Sequence, residues 1–223
     1  MRPFQYLFNK FWSDEQQVTI LGYEEPTFEL YDNFNFISLG EQTTVQDWCS
    51  DLKSFFETID DKYFIHAVED QFIIRPVRQD VLPVLYDLMN DDVGRIALET
   101  AAQTKPHTVI QSEQPNRETP IIELDQEANY RLSVVYSIWN KEYMLKYLEP
   151  NMNPWEFELA GSEKAKNDGY KILGTKYNHP IYCSHTVRRG DFNNLDFTVY
   201  DGYNISIDND TLQELKTMRL INE

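Results

Sequence analysis

Phe64-Ile-His-Ala-Val-Glu-Asp-Gln-Phe-Ile-Ile74 places two adjacent acids, Glu69 and Asp70, between apolar runs. A desolvated carboxylate without a partner is costly, and it either finds a positive group or neutralises. A strand over residues 63–68 that hands over to two acids is therefore expected to end at a cleft. A divalent cation is the natural recipient, since hard metals take oxygen ligands. The alternative is structural: the pair caps a turn ahead of a helix.

Upstream, Phe4, Leu7, Phe8 and Phe11 recur at helical spacing. Val18–Leu21 and residues 34–39 read as strands, each closed by a glycine. Thr44 is a helix N-cap with Asp47 in capping position. From there Trp48, Cys49, Leu52, Phe55, Phe56 and Ile59 make the clearest amphipathic helix in the chain. Strand, helix and strand thus alternate before residue 70, which predicts an α/β fold with a mostly parallel sheet. In such sheets ligands sit beyond the carboxyl ends of strands, where Glu69 and Asp70 fall.

Downstream, residues 80–89 read as a helix that tolerates Pro83 only in its first turn. Residues 95–98 read as a strand and 100–120 as a long polar loop. Strands are expected over 121–124 and 131–135, spaced as a hairpin could be, then over 170–173 and 180–187. Asn140 caps a helix to Leu148, and Asn153-Pro154 opens another that runs to about Asn167. Residues 211–220 form an amphipathic C-terminal helix, an accessory or interface element of a single domain spanning 1–223.

With 223 residues, 41% hydrophobic and 14% aromatic, the chain has ample material for a core. A formal net charge of −17 argues against nucleic acid and against an anionic membrane surface. No apolar run approaches the roughly 20 residues that span a bilayer, and the N-terminus lacks a signal-peptide pattern. Cys49 and Cys183 have no zinc spacing and make no disulfide framework. A soluble, cytoplasmic protein is expected.

The second informative stretch is Asn153-Pro-Trp-Glu-Phe-Glu-Leu-Ala-Gly-Ser162. Acids in a first helical turn are favoured by the dipole alone, which accounts for Glu156. Glu158 lies three residues after Trp155, on one helical face with it. An aromatic ring beside a carboxylate suits a sugar: the ring packs a pyranose face and the acid takes a hydroxyl proton.

Taken in order, Val68-Glu-Asp-Gln-Phe72, Tyr130-Arg-Leu-Ser133, Ile138-Trp-Asn-Lys-Glu-Tyr-Met-Leu145, Asn153-Pro-Trp-Glu-Phe-Glu158 with Gly161-Ser162, and Val187-Arg-Arg-Gly190 resemble a group of GT-A-type glycosyltransferases of bacterial polysaccharide loci and phage genomes. The resemblance spans most of residues 1–195. It implies a GT-A-like nucleotide-diphospho-sugar transferase fold, with a mixed, mostly parallel sheet flanked by helices. It implies that Glu69 and Asp70 hold Mn²⁺ or Mg²⁺ against the donor diphosphate. Glu158 matches the general base of an inverting transfer. Trp139, Trp155 and Glu156 fall on the acceptor side, and Arg188 and Arg189 on the donor side. His185 could approach the metal, although a lone His near a strand is more often structural. Two departures stand out. The acidic motif reads Glu-Asp-Gln rather than Asp-x-Asp, and the chain opens at what looks like the helix after the family's first, nucleotide-binding strand.

The expected partners are a nucleotide-sugar donor and a carbohydrate or other hydroxyl acceptor. Glu69/Asp70 and Glu158 should then face each other across one cleft. A catalytically degenerate carbohydrate-binding or interaction module would keep the Trp residues without needing the acids. A metal nuclease or phosphohydrolase needs more His and acids at strand ends. No P-loop and no Gly-x-Ser-x-Gly elbow is present.

Overall fold

Helix α1 (Arg2–Phe11) forms where Phe4, Leu7, Phe8 and Phe11 share one face, and all four are buried. Pro3 sits in its first turn, where a missing N–H costs nothing. The computed structural model describes residues 1–111, 119–184, 198–200 and 203–221. Strands β1 (Val18–Gly22) and β2 (Phe34–Ser38) follow and pair in parallel, Val18 opposite Phe34. The Thr44–Asp47 capping box starts a short 3₁₀ turn that runs into α2 (Trp48–Phe56). Cys49, Leu52 and Phe56 are its buried face, as the spacing predicts.

Next come β3 (Tyr63–His66), β4 (Phe72–Ile73), α3 (Leu82–Tyr86), β5 (Val93–Ala97), β6 (His107–Gln111), β7 (Ile121–Leu124) and β8 (Ser137–Asn140). The side chain of Asn140 accepts from the Glu142 and Tyr143 amides and so starts α4 (Lys141–Tyr147). The helix expected over 153–167 is interrupted: α5 (Pro154–Glu156) passes into a π-helical turn (Phe157–Gly161) and then α6 (Ser162–Lys164). The remaining elements are β9 (Lys171–Thr175), β10 (Cys183–Ser184), β11 (Thr198–Tyr200), β12 (Tyr203–Ile205) and α7 (Asn209–Thr217). No described helix is long and apolar enough to cross a membrane.

Six strands form the central sheet in the order β3-β8-β5-β9-β7-β6. The sheet is mixed and mostly antiparallel, which corrects the expectation of a mostly parallel one. Only β5 and β9 run parallel in it; β3·β8, β5·β8, β7·β9 and β6·β7 are antiparallel. The reason is β8. It comes late in the chain, inserts between β3 and β5, and runs against both. Residues 131–135 are not a strand, and the loop expected over 100–120 contains β6.

The sheet carries a core on each face. Val93, Ile96, Ile121, Ile138 and Leu173 face one, together with α1, β4, β10 and residues of α3 and α7. Ala97, Ile122, Leu124, Trp139 and Ile172 face the other, with α2, α4 and Phe157. The side chain of Glu214 on α7 pairs with Tyr6 and Lys10 of α1, closing the first face. On the second face Arg131 and Asp168 form a buried ion pair at 3.0 Å.

In β5 the alternation breaks. Val93 faces the first core, whereas the Arg95 guanidinium lies 5.5 Å from the Trp139 ring on the second face. The register against β9 shifts between Val93 and Arg95. Such a bulge inserts one residue and re-aims the next side chain. Gly94 occupies it, and a Cβ there would meet the Tyr143 ring at 2.6 Å.

Candidate functional site

The best-defined polar site hangs from residues 130–137, an irregular stretch after β7 together with the first residue of β8. The Ser133 hydroxyl donates to Glu158 Oε1 at 2.8 Å, and the Val134 amide donates to the same oxygen at 2.9 Å. Oε2 of Glu158 makes no hydrogen bond among the described residues. Four residues on, Ser162 Oγ accepts from the Leu132 amide at 3.0 Å and donates to the Leu132 carbonyl at 3.1 Å. The π-helical turn lies between these two grips. Single π turns inside helices recur at functional sites, and here one sets the spacing at which Glu158 and Ser162 meet one segment. Gly161 lets the turn approach closely, since a Cβ there would meet Leu132 at 2.8 Å.

Behind the segment lies Arg95, which is 1% exposed. Its guanidinium donates to the Ser133 carbonyl at 3.0 Å, to Ser137 Oγ at 3.2 Å and to the Tyr130 carbonyl at 3.2 Å. Among the described residues it forms no salt bridge, and its Nε has no partner. Burial pulls the Arg95 pKa down to about 10, against the opposing influence of Tyr143, Glu158 and Glu99. Tyr130, at the start of the segment, has φ +58°. A bulky residue in the left-handed region is strained.

The other expected residues are distributed as follows. Trp155 is 67% exposed at the start of the helical stretch that carries Glu158. Trp139 is 0% exposed, inside the second core, and presents no face to a ligand. Glu156 closes a capping box with Asn153, its carboxylate accepting from the Asn153 amide at 2.9 Å. That is the structural role its position suggests. Glu69 and Asp70 are exposed in the turn after β3. Burial lowers the Met1 ammonium, and Glu69 pulls it the other way, so Glu69 stands near the start of α1. No described contact brings Glu69 or Asp70 to Glu158. Among the described residues no group of three or more His, Cys, Asp or Glu stands together as a metal site. His185, Arg188 and Arg189 lie outside the described residues. Two further arginines are engaged locally: Arg75 bonds the Ile74 carbonyl and Arg78 pairs with Asp80 at 2.8 Å.

Sequence reasoning missed Arg95, Ser133 and Ser162 as parts of one site. Ser133 and Ser162 stand inside the motifs quoted above. Arg95, a cation in the otherwise apolar run Val93-Gly-Arg-Ile-Ala-Leu98, was itself a signal, because such a cation must find acceptors.

Comparison with known proteins adds little. No protein-family model matches the chain, and no curated protein does. The solved structure of apo UDP-glucose pyrophosphorylase is similar over 68% of this chain, with 14% identity and a TM-score of 0.36. The chain spans 57% of that protein's length. A likeness of this degree carries no argument about function.

Proposed function

We propose that this protein is a glycosyltransferase of GT-A-like fold, moving a sugar from a nucleotide-diphospho-sugar to a hydroxyl acceptor with inversion. The observation that carries the reading is the tethering of Glu158. One oxygen is fixed by the Ser133 hydroxyl and the Val134 amide, and the other is left to act. A general base must be held in hydrogen-bond reach of the proton it removes. Glu158 is so held, on the same helical stretch as the exposed ring of Trp155. The order of motifs described above supplies the reaction class.

In this reading the acceptor rests against Trp155 and Glu158 Oε2 takes its hydroxyl proton as the oxygen attacks the anomeric carbon. Two exposed carboxylates on one turn suit Mn²⁺ or Mg²⁺, which bind through one or two carboxylates and take further ligands from substrate phosphates and water. Glu69 and Asp70 would hold the ion, which would neutralise charge building on the leaving diphosphate. His185 would assist at the ion, and Arg188 and Arg189 would meet the diphosphate.

The test is a panel of nucleotides and nucleotide sugars read by thermal shift, with and without Mn²⁺. A ligand at a hundred times its Kd adds about 2.7 kcal/mol. A metal-dependent shift that Asp70→Ala removes and Glu158→Gln keeps is expected. Transfer should fall about 10²- to 10⁴-fold in Glu158→Gln. A second reading is favoured by the lack of any described contact between Glu69/Asp70 and Glu158: a module that binds carbohydrate at Trp155 without transfer. Binding of free oligosaccharide, lost in Trp155→Ala, with no response to any nucleotide would establish it instead.

A further inference from the structure

We propose that Arg95 is the positioning residue of Glu158, acting through the 130–137 segment and touching neither substrate nor metal. The inference rests on the reading of Glu158 as the general base.

Three local irregularities meet here, and each is explained by this role. The bulge at Gly94 turns Arg95 away from the face of Val93 and into the second core. Without it, residues two apart on a strand would share a face. The left-handed Tyr130 begins the segment, and its carbonyl accepts from Arg95 at 3.2 Å. The π-helical turn brings Glu158 to the segment's far side.

The pattern of bonds is specific. All three acceptors of the guanidinium, at Tyr130, Ser133 and Ser137, lie on this one segment. Ser133 is shared: its carbonyl is held by Arg95 and its hydroxyl holds Glu158. The next amide, Val134, is the second donor to Glu158. One rigid cation thus fixes both groups that aim the carboxylate.

A packing role would not call for this residue. A guanidinium buried without an ion pair carries a desolvation penalty of several kcal/mol, and an apolar side chain of similar volume carries none. Glu158 and Glu99 act on Arg95 electrostatically, but neither is within ion-pair distance of it, and Asp168 is paired with Arg131. A planar fork serves three acceptors in fixed directions, which a lysine cannot.

The experiment follows amide exchange residue by residue in the wild type, Arg95→Met, Arg95→Lys and Ser137→Ala, alongside steady-state kinetics. Losing the bond to Glu158 should speed exchange of the Val134 amide about tenfold or more. Amides of β5 and of residues 138–140 in β8 should keep their protection in the same variants. kcat should fall about tenfold or more with the donor KM within about twofold, because misplacement of a base by an ångström can cost that much. Arg95→Lys should recover part of the loss.

If Arg95→Met does not fold, Arg95→Lys and Ser137→Ala carry the test, each expected to move Val134 in the same direction to a smaller degree. Unchanged Val134 protection in every folded variant would overturn the proposal, and so would a uniform loss across β5 and β8. If no nucleotide sugar gives turnover, the transferase reading fails. The exchange data still decide whether Arg95 positions Glu158.

Discussion

Glu158 and Arg95 answer the same physical demand in opposite ways. The carboxylate stays half-buried and borrows two donors from the chain; the guanidinium goes fully inside and must find acceptors there. The second buried arginine took the usual solution. Arg131 pairs with Asp168 at 3.0 Å and also donates to the Ala165, Asp125 and Tyr170 carbonyls. Removing its partner strands a buried charge, so Asp168→Ala should destabilise by about 3–5 kcal/mol in urea unfolding. A cost within error would mean that Arg131 is satisfied by carbonyls alone. His66 gives a pH signature. Burial lowers its pKa to about 4, and its Nδ1 has no partner. The unfolded state therefore takes up a proton first as pH falls. The stability gained by keeping His66 neutral is complete above about pH 6.5 and is lost between there and pH 4, at most about 3 kcal/mol. Comparing wild type with His66→Phe should show the difference moving in favour of the variant over that window. A difference independent of pH would count against a buried neutral imidazole. At this scale the sequence was partly legible. Glu158 drew attention through the aromatic three residues before it and, mainly, through the order of motifs; its tether to Ser133 and Val134 was not legible, because those contacts are distant in sequence. The burial of Trp139 was not, because its β-strand neighbours Ser137 and Asn140 disguise a central strand.

At the scale of elements, the helices could be read and the sheet could not. The spacing of Phe4, Leu7, Phe8 and Phe11 gave α1, and the Thr44–Asp47 box gave the start of α2, because both signals are local. Strand order depends on contacts distant in sequence. Nothing in residues 63–97 announces that residues 137–140 will insert between β3 and β5. The π turn was equally hidden, since an α-helical pattern runs through residues 154–164 without a break in composition. Two variants test these local devices. Gly94→Ala pushes a methyl into the Tyr143 ring, 2.6 Å away. It should cost about 1–3 kcal/mol, as overpacking does, and should disturb Glu158 through Arg95. Deleting Ala160 shortens the π turn by one residue. The helix should survive by circular dichroism, while either Glu158 or Ser162 loses its hold on residues 132–134. Retention of both contacts, seen as unchanged exchange at the Leu132 and Val134 amides, would show that the turn does not set their spacing.

The whole molecule is dominated by its charge. Lys and Arg number 20 against 37 Asp and Glu, a formal net charge of −17. Arg95 and Arg131 lie inside, so the surface is poorer in cations than the composition suggests. The ion pairs Lys10–Glu214, Lys62–Asp91 and Lys164–Glu149 are exposed or nearly so, and solvent and salt screen them, so they offset little of this excess. Self-repulsion of like charges disfavours the compact state. Raising ionic strength from about 0.01 to 0.15 M shortens the screening length from about 30 to 8 Å. Repulsion between distant acids is suppressed first, whereas the buried Arg131–Asp168 pair is barely touched. Stability should therefore rise with NaCl, and a gain near 1 kcal/mol would lift Tm by about 2–4 °C for a chain of this size. The measurement is a melt in increasing NaCl, repeated with choline chloride to separate screening from specific cation binding. Equal gains in the two salts fit screening of the acidic surface. A flat or falling Tm would mean that local ion pairs outweigh the net charge. A further rise with millimolar Mn²⁺ at fixed ionic strength, abolished by Asp70→Ala, would locate a specific cation at the turn after β3, where screening alone predicts none.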